Sequence, residues 1–544
     1  MALFPEYVRI AMLGAGISQN PSRGRRHACY PIARRQRMNM GKTTATIATI
    51  QKTRSLLLLA SLVLCACGGS VAGDSIPIVI TATNTTTAAE NTAERIDSGT
   101  GDRYNPEIAI NSNGNAVAVW EQFDGNNYSI WANRFDGTHW GTAEQINTKA
   151  QLASLPQVVI NSDDTAVAVW EQPDGVHSSI WANSFDGSHW GTAERLDSTL
   201  KKADDLQIAI VSSNNVSVVW HQFDGTNHSI WTNHHDGNSW GTAQQIDSGT
   251  GAAEYPQIAT DGRGHAIAVW SQFDDAGNNT LWANDYDGSD WWNAWQIGDR
   301  STTSACYPKV AMDKNDHVIV VRSCIGDGIL VNEILVNEFI KGDGLFLKGG
   351  WTKKWIDSGS GGAPIDQQIS MNSDHAIVVW RQYGDTSFSI RGISLDDQSI
   401  WEWVNVTLDT GLALGPQVVI DSAGNALAVW YQSDKRGLHN RIWSNRFNGD
   451  FWGNPEQVDV GTGTSPSYKP QVAANSSGRA MVVWYQTNGT KSSVWARQLP
   501  VVSSATSHGV QASAVRGATP KEFDKIQMFN LNSNRTLPMT EWVE

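Results

Sequence analysis

Glu121 and Glu171 each follow a Val-Trp pair in two nearly identical segments, and two carboxylates at a fixed separation are the equipment of glycoside hydrolysis. In six further segments the same position carries His221, Ser271, Ser323, Arg381, Tyr431 and Tyr485 instead. Such drift is what a variable mouth on a fixed scaffold shows, and also what an unconstrained surface shows. A Gln follows in seven of the eight segments, as Gln122, Gln172, Gln222, Gln272, Gln382, Gln432 and Gln486. Its constancy assigns it first to structure, as a staple to the incoming loop, and second to ligand bonding.

Other candidate motifs are weaker. Gly41-Lys42-Thr43 lacks the upstream Gly of a phosphate loop, and Gly14-Ala15-Gly16 has no strand-helix context. No His/Cys cluster has zinc spacing, so no metal ligand is assigned. Calcium has two oxygen-rich turns to consider, Asp313-Lys314-Asn315-Asp316 and Asp274-Asp275-Ala276-Gly277-Asn278, neither with the spacing of a known loop. Solvated turns are the simpler reading of both. No cofactor is expected.

The elements that must carry these residues follow from a period of about fifty residues, written eight times between Glu94 and Pro500. Each copy holds four short β runs, a to d: in the first, Pro106 to Ile110, Ala116 to Gln122, Ser129 to Arg134 and Gly141 to Ile146. Asp-Gly pairs at 124–125 and 136–137 are hairpin signals, because Gly takes positive φ without a Cβ clash. Run b is apolar on both faces, with Val117 and Val119 one way and Ala116, Ala118 and Trp120 the other. Neighbouring sheets must cover both faces, and a radial ring of sheets does so while protecting the edges.

The expected fold is therefore all-β: a β-propeller of four-stranded antiparallel blades, eight in number, with seven as the alternative. Copy five is the reason for that alternative, having Arg322 in place of the repeated Trp and the doubled stretch ILVNEILVNEF at 329–339. The last copy lacks run d, and Thr92 to Asp97 match it, so an N-terminal strand should close the ring. The recurring Trp residues, 24 of 25 of which lie between 120 and 495, read as core.

The first 66 residues carry ten Lys or Arg and one acid, and Leu56 to Leu64 form an apolar run too short to span a bilayer. That pattern reads as a leader and secretory signal. Its end, Leu64-Cys65-Ala66-Cys67-Gly68-Gly69, resembles the lipobox of bacterial lipoproteins, which implies lipidation at Cys67. Residues 67–91 read as a flexible tether, 92–502 as the propeller and 503–544 as a polar tail, either disordered or packed under the ring. Beyond the leader, 30 basic and 53 acidic residues leave a net charge near −23, which disfavours nucleic acid and anionic lipid surfaces. Cys306 and Cys324 fall opposite each other in copy five, and an oxidising exported compartment favours a cross-strand disulfide over two free buried thiols.

The turn between runs c and d reads Phe135-Asp136-Gly137 with Trp140, Phe185-Asp186-Gly187 with Trp190, and Asp236-Gly237 with Trp240. It resembles the Asp-box of sialidase-type propellers, although Asp and Gly are adjacent here and the leading Ser is missing. The resemblance covers 92–502 and implies a fold more than an activity. In that family a Phe/Tyr-Arg-Ile-Pro motif announces the first of three substrate-binding arginines; no arginine here sits in one. Sialidase chemistry is accordingly not expected.

In such a blade the d-to-a and b-to-c connections share one end of the ring. That end varies, with Tyr104, Tyr255, Tyr307 and Tyr468 on its incoming loops, whereas the opposite turns are monotonous. The ligand-binding candidates are Glu121, Glu171, His221, Arg381, Tyr431, Tyr485, Tyr104, Tyr255 and Tyr468. The chain is expected to be an exported, monomeric, lipid-anchored protein of the cell envelope that binds polysaccharide or glycoprotein and catalyses nothing. The glycan class rests on the resemblance to Asp-box and lectin propellers and on the aromatic and amide groups at the mouth. An interaction scaffold for an envelope protein is one alternative; a glycan-active hydrolase or lyase is another.

Overall fold

The structure is a computed structural model. It describes residues 92–501, except 148–151, 198–200, 224, 248–250, 274–276, 298–304, 327–328, 331–332, 340–351, 358–363, 384–386, 397–403, 406–411, 434–438 and 461–464, together with two strands near the C-terminus. The leader, the tether and Cys67 lie outside the described residues. Gln527–Asn530 and Arg535–Pro538, within the segment read as a polar tail, form an antiparallel pair.

Among the described residues eight sheets follow one another, seven of four strands and one of five. In blade 1 the strands are Arg103–Ile110, Ala116–Phe123, Tyr128–Phe135 and Glu144–Gln145, hereafter a to d. The innermost a strands of successive blades pack on each other all the way round, the eighth against the first. This is an eight-bladed propeller.

Among the described residues the apolar clusters each lie between two blades rather than within one. Val117 and Val119 pack toward blade 2, while Ala116, Ala118 and Trp120 pack toward blade 8. The indoles of Trp120, Trp170, Trp220, Trp270, Trp380, Trp430 and Trp484 are fully buried. A buried indole N–H needs an acceptor. In all seven blades it donates to Oε1 of the Gln two residues on, at 2.8 to 3.4 Å. The repeated Gln is therefore the partner of the repeated Trp, and blade 5, with Arg322 and Cys324 at the two positions, has lost both together.

Trp sets a second feature. Opposite Trp120 stand two residues, Asn105 and Pro106, because the register slips between Tyr104 and Glu107. The same bulge recurs in every blade but the fifth, and its first residue has positive φ: Asn105, Leu155, Asp205, Tyr255, Asp366, Gly415 and Lys469. A bulge also tolerates the Pro that lacks a donor. In blade 5 Arg322 faces Pro308 alone and Cys306 faces Cys324 in unbroken register. The Gln elsewhere consequently faces the residue three before Pro, as Gln122 faces Arg103, and not two before it as in blade 5. The side chains of Cys306 and Cys324, and hence the disulfide, lie outside the described residues. The doubled stretch is divided there: Ile329–Leu330 pairs with the end of strand b and Glu333–Phe339 is strand c.

The ring closes where the orphan run predicts. Glu94 and Arg95 pair with Ala496 and Trp495 of blade 8. Asp97 then accepts the N–H of Val494 at 2.9 Å and pairs at 2.7 Å with Arg103, both side chains being buried. A further bond, Arg103 N–H to Ser492 Oγ at 2.7 Å, ties blade 1 to blade 8. At the opposite end the c-to-d turns of blades 1 to 4 are each capped by their own Asp, and that of blade 7 by Asn448: Asp136 Oδ1 accepts the N–H groups of Thr138 and His139, both at 2.8 Å. The flanking Phe135 and Trp140 rings lie 5.6 Å apart.

Gln432→Leu leaves the Trp430 indole N–H buried without an acceptor and should cost about 1–3 kcal/mol in denaturant unfolding. Arg103→Ala leaves the buried Asp97 carboxylate paired only with the half-exposed Arg95, at 2.7 Å, and should cost about 1–3 kcal/mol in denaturant unfolding, with a larger loss when Arg95→Ala is added.

Candidate functional site

Strands a and b of neighbouring blades bring the variable residues to one rim, but the blades use them differently. Glu121 Oε1 accepts from Asn105 Nδ2 at 2.6 Å and from the N–H of Leu155, the bulged residue of the next blade, at 2.9 Å. Glu171 does the same for the N–H of Asp205 at 3.0 Å. Both carboxylates thus hold the left-handed residue of the following blade, a conformation unfavourable for a side chain such as Leu155. Arg381 is likewise drawn to the bulge of its own blade, pairing with Asp366 at 3.1 Å, with its guanidinium over Phe388.

His221 sits among acids: it hydrogen bonds Asp204 and lies 3.3 Å from Asp205, with the His228 ring 4.8 Å away. Burial disfavours its charge, but the bond to Asp204 and the fields of Asp204, Asp205 and Glu254 outweigh that and raise its pKa. Burial pushes the nearby Glu171 up to about 7, against the pull of the Asp205 N–H. Both groups, on adjacent blades, are thus shifted upward from their ordinary values.

The tyrosines behave otherwise. Tyr431 of blade 7 lies 6.0 Å from Tyr468, which stacks on Tyr485 at 5.3 Å with planes 23° apart. Tyr485 meets Tyr104 of blade 1 edge-on at 5.3 Å, and Tyr104 continues to Tyr128 at 6.0 Å. The result is an arc of five half-buried rings over three blades. Burial and the neighbouring tyrosines push the Tyr485 hydroxyl up to about 12, so it remains a donor through the neutral range. Tyr255 stands apart, paired with Tyr307 at 4.6 Å and likewise pushed to about 12, first by burial.

Of the nine residues singled out in the sequence, the structure gathers four, Tyr104, Tyr431, Tyr468 and Tyr485, into one arc. It ties Glu121, Glu171 and Arg381 to bulges and leaves His221 and Tyr255 in other sectors. Tyr128 went unnoticed, since it opens strand c rather than sitting on a d-to-a loop.

Also unnoticed was a polar collar one residue past each strand-a Pro position: Glu107, Gln157, Gln207, Gln257, Lys309, Gln368, Gln417 and Gln471, all in equivalent register. Neighbours in it bond from blade to blade, Gln471 Nε2 to Glu107 at 2.7 Å and Lys309 Nζ to Gln257 at 3.0 Å. The sequence signal was available: a repeated Gln is broken twice, by an acid in blade 1 and by a base in blade 5, half a ring away. Burial pushes the Glu107 carboxyl up to about 8, although Lys309, the Gln471 amide and Lys469 oppose it. Burial lowers Lys309.

No family model matches the chain, and no curated protein does. Solved structures similar to it include a Hadza microbial sialidase, at 10% identity over 61% of this chain and 76% of that one, with a TM-score of 0.34. A polysaccharide lyase aligns at 8% identity over 76% and 94% of the two chains, TM-score 0.41. The NanB sialidase of Streptococcus pneumoniae aligns at 8% over 75% and 71%, TM-score 0.33. Likeness at this level transfers neither activity nor residues.

Between the ordinary carboxyl range and about 8, folded Glu107 holds a proton that the unfolded chain has released, so stability falls as pH rises through that window. Glu107→Gln should therefore raise the Tm above about pH 8 and leave it nearly unchanged near about pH 4.

Proposed function

We propose that the ring is an exported, lipid-anchored binding module of the cell envelope that recognises glycans at the arc of Tyr431, Tyr468, Tyr485, Tyr104 and Tyr128. The arc itself carries this reading: half-exposed aromatic faces pack against the C–H faces of sugars, and their neutral hydroxyls donate to ring and glycosidic oxygens. Flanking polar groups are at hand, with Lys469 Nζ donating to Asn105 Oδ1 at 2.7 Å across the seam between blades 8 and 1. A non-catalytic role is supported by the engagement of Glu121 and Glu171 in bonds to the next blade.

A second reading has one observation in its favour. Glu171 near neutrality beside the raised His221 has the tuning of an acid–base pair, which would suit a glycan-active hydrolase or lyase. Turnover of any glycan, abolished by Glu171→Gln, would replace the binding reading with this one.

On a glycan array the intact protein should bind a defined set of polysaccharides, and Tyr485→Ala should weaken that binding about tenfold or more, through loss of about 1–3 kcal/mol of stacking. Capture of an envelope protein without glycan dependence would favour the scaffold alternative. Cys67→Ser should move the protein from the membrane to the soluble fraction, as measured by immunoblot of fractionated cells.

A further inference from the structure

The seam between blades 4 and 5 is built unlike the other seven. Arg322 stands where the following blade elsewhere inserts its indole, so the cluster there is aliphatic apart from the partly buried Trp295. At the turn end of the same seam, Asp261 and His265 of blade 4 meet Asp316 of blade 5. His265 Nδ1 lies 3.0 Å from Asp316 Oδ1 and 3.3 Å from Asp261 Oδ2, and the three donor atoms all lie within 4.8 Å of one another.

Equivalent positions between blades 1 and 2 are Asn111, Asn115 and Asp164. There both amides donate to the one carboxylate, at 2.6 and 2.7 Å. Blade 4 replaces the first amide by a carboxylate and the second by an imidazole. The replacement removes a donor and sets two negative groups against a single ring nitrogen. Asp261 is fixed in that pose, because its Oδ1 accepts the N–H groups of Arg263 and His265 at 2.8 and 3.0 Å and leaves Oδ2 facing the cluster.

We propose that Asp261, His265 and Asp316 form a site for a divalent transition metal, with Zn²⁺ as its probe, that clamps blade 4 to blade 5. One imidazole and two carboxylates form a borderline donor set, and tetrahedral bonds of about 2.0–2.1 Å place donor atoms about 3.4 Å apart, close to the two separations seen. A fourth position is left for water. Arg263 competes for the same Asp261 oxygen, at 3.1 Å, and lies 3.8 Å from the other oxygen of Asp316, but its side chain is 57% exposed and can swing to solvent when the ion enters. The clamp joins residues about fifty apart in sequence, which is why spacing rules for zinc do not reveal it. It is independent of what the mouth binds.

The test uses the intact protein, stripped with EDTA and titrated with Zn²⁺ by calorimetry and thermal unfolding. One high-affinity equivalent and a rise in Tm are expected, with Co²⁺ giving visible d–d bands of a mixed nitrogen and oxygen set. Asp261→Asn, which restores the residue type of blades 1 and 2 and should fold, is expected to weaken Zn²⁺ binding at least tenfold and to remove the Tm rise. Arg263→Ala is expected to bind Zn²⁺ more tightly than the parent. Absence of a high-affinity equivalent, an equal Tm rise in Asp261→Asn, or weaker binding in Arg263→Ala would each overturn the proposal.

Discussion

Burial of an indole from each blade but the fifth against the preceding blade is the interaction on which the molecule depends. Each sheet is apolar on both faces, so a blade alone would leave roughly half of its core wet, and only a neighbour on each side removes that surface from water. Trp fills the seam but brings an N–H with it. The Gln two residues on, with its side chain on the same face, accepts that N–H, and the a strand opposite bulges by one residue to make room. Trp, Gln and bulge are one device, and blade 5 shows it by losing all three at once.

The bulge shapes the mouth as well as the core. It forces a residue into the left-handed region at the rim of seven blades, and in two of those the penalty is offset by a carboxylate from the preceding blade. Glu121 and Glu171 look like a catalytic pair when read along the chain. In space each serves the blade after it. The tyrosines of blades 7, 8 and 1 lack such a partner and are left to face one another across the seam where the chain closes. That seam is also bonded through Asp97, Arg103 and Ser492, so the arc stands on the part of the ring where the two ends of the fold are fastened.

Much of this was legible in the sequence because it is local. Asp-Gly turns, period-2 runs, a missing last strand and a matching orphan first one are all encoded within a few residues, and they suffice for four-stranded blades in a closed ring. The mouth was legible as a place, since the residues varying over a constant scaffold mark it. Their division into structural and ligand-facing groups was not legible, because it turns on contacts about fifty residues away: Leu155 for Glu121, Asp205 for Glu171, Tyr104 for Tyr485. The collar of Glu107 and Lys309 was visible as a broken Gln repeat, yet its meaning, opposite charges half a ring apart, needs the ring.

The sequence by itself determined the repeat, the strand order within a blade, the faces that must be covered and the way the ring closes. These follow from backbone chirality, turn chemistry and hydrophobic alternation, which act over short stretches of chain. Only the tertiary structure decided the bulge opposite Trp, the bond that each Gln makes, the gathering of four candidate tyrosines with Tyr128, and the meeting of Asp261 and His265 with Asp316. Each of these lies across a strand pair or a seam between blades. There the partner is chosen by packing distance rather than by position along the chain, and near-identical copies present near-identical choices until neighbours in space distinguish them.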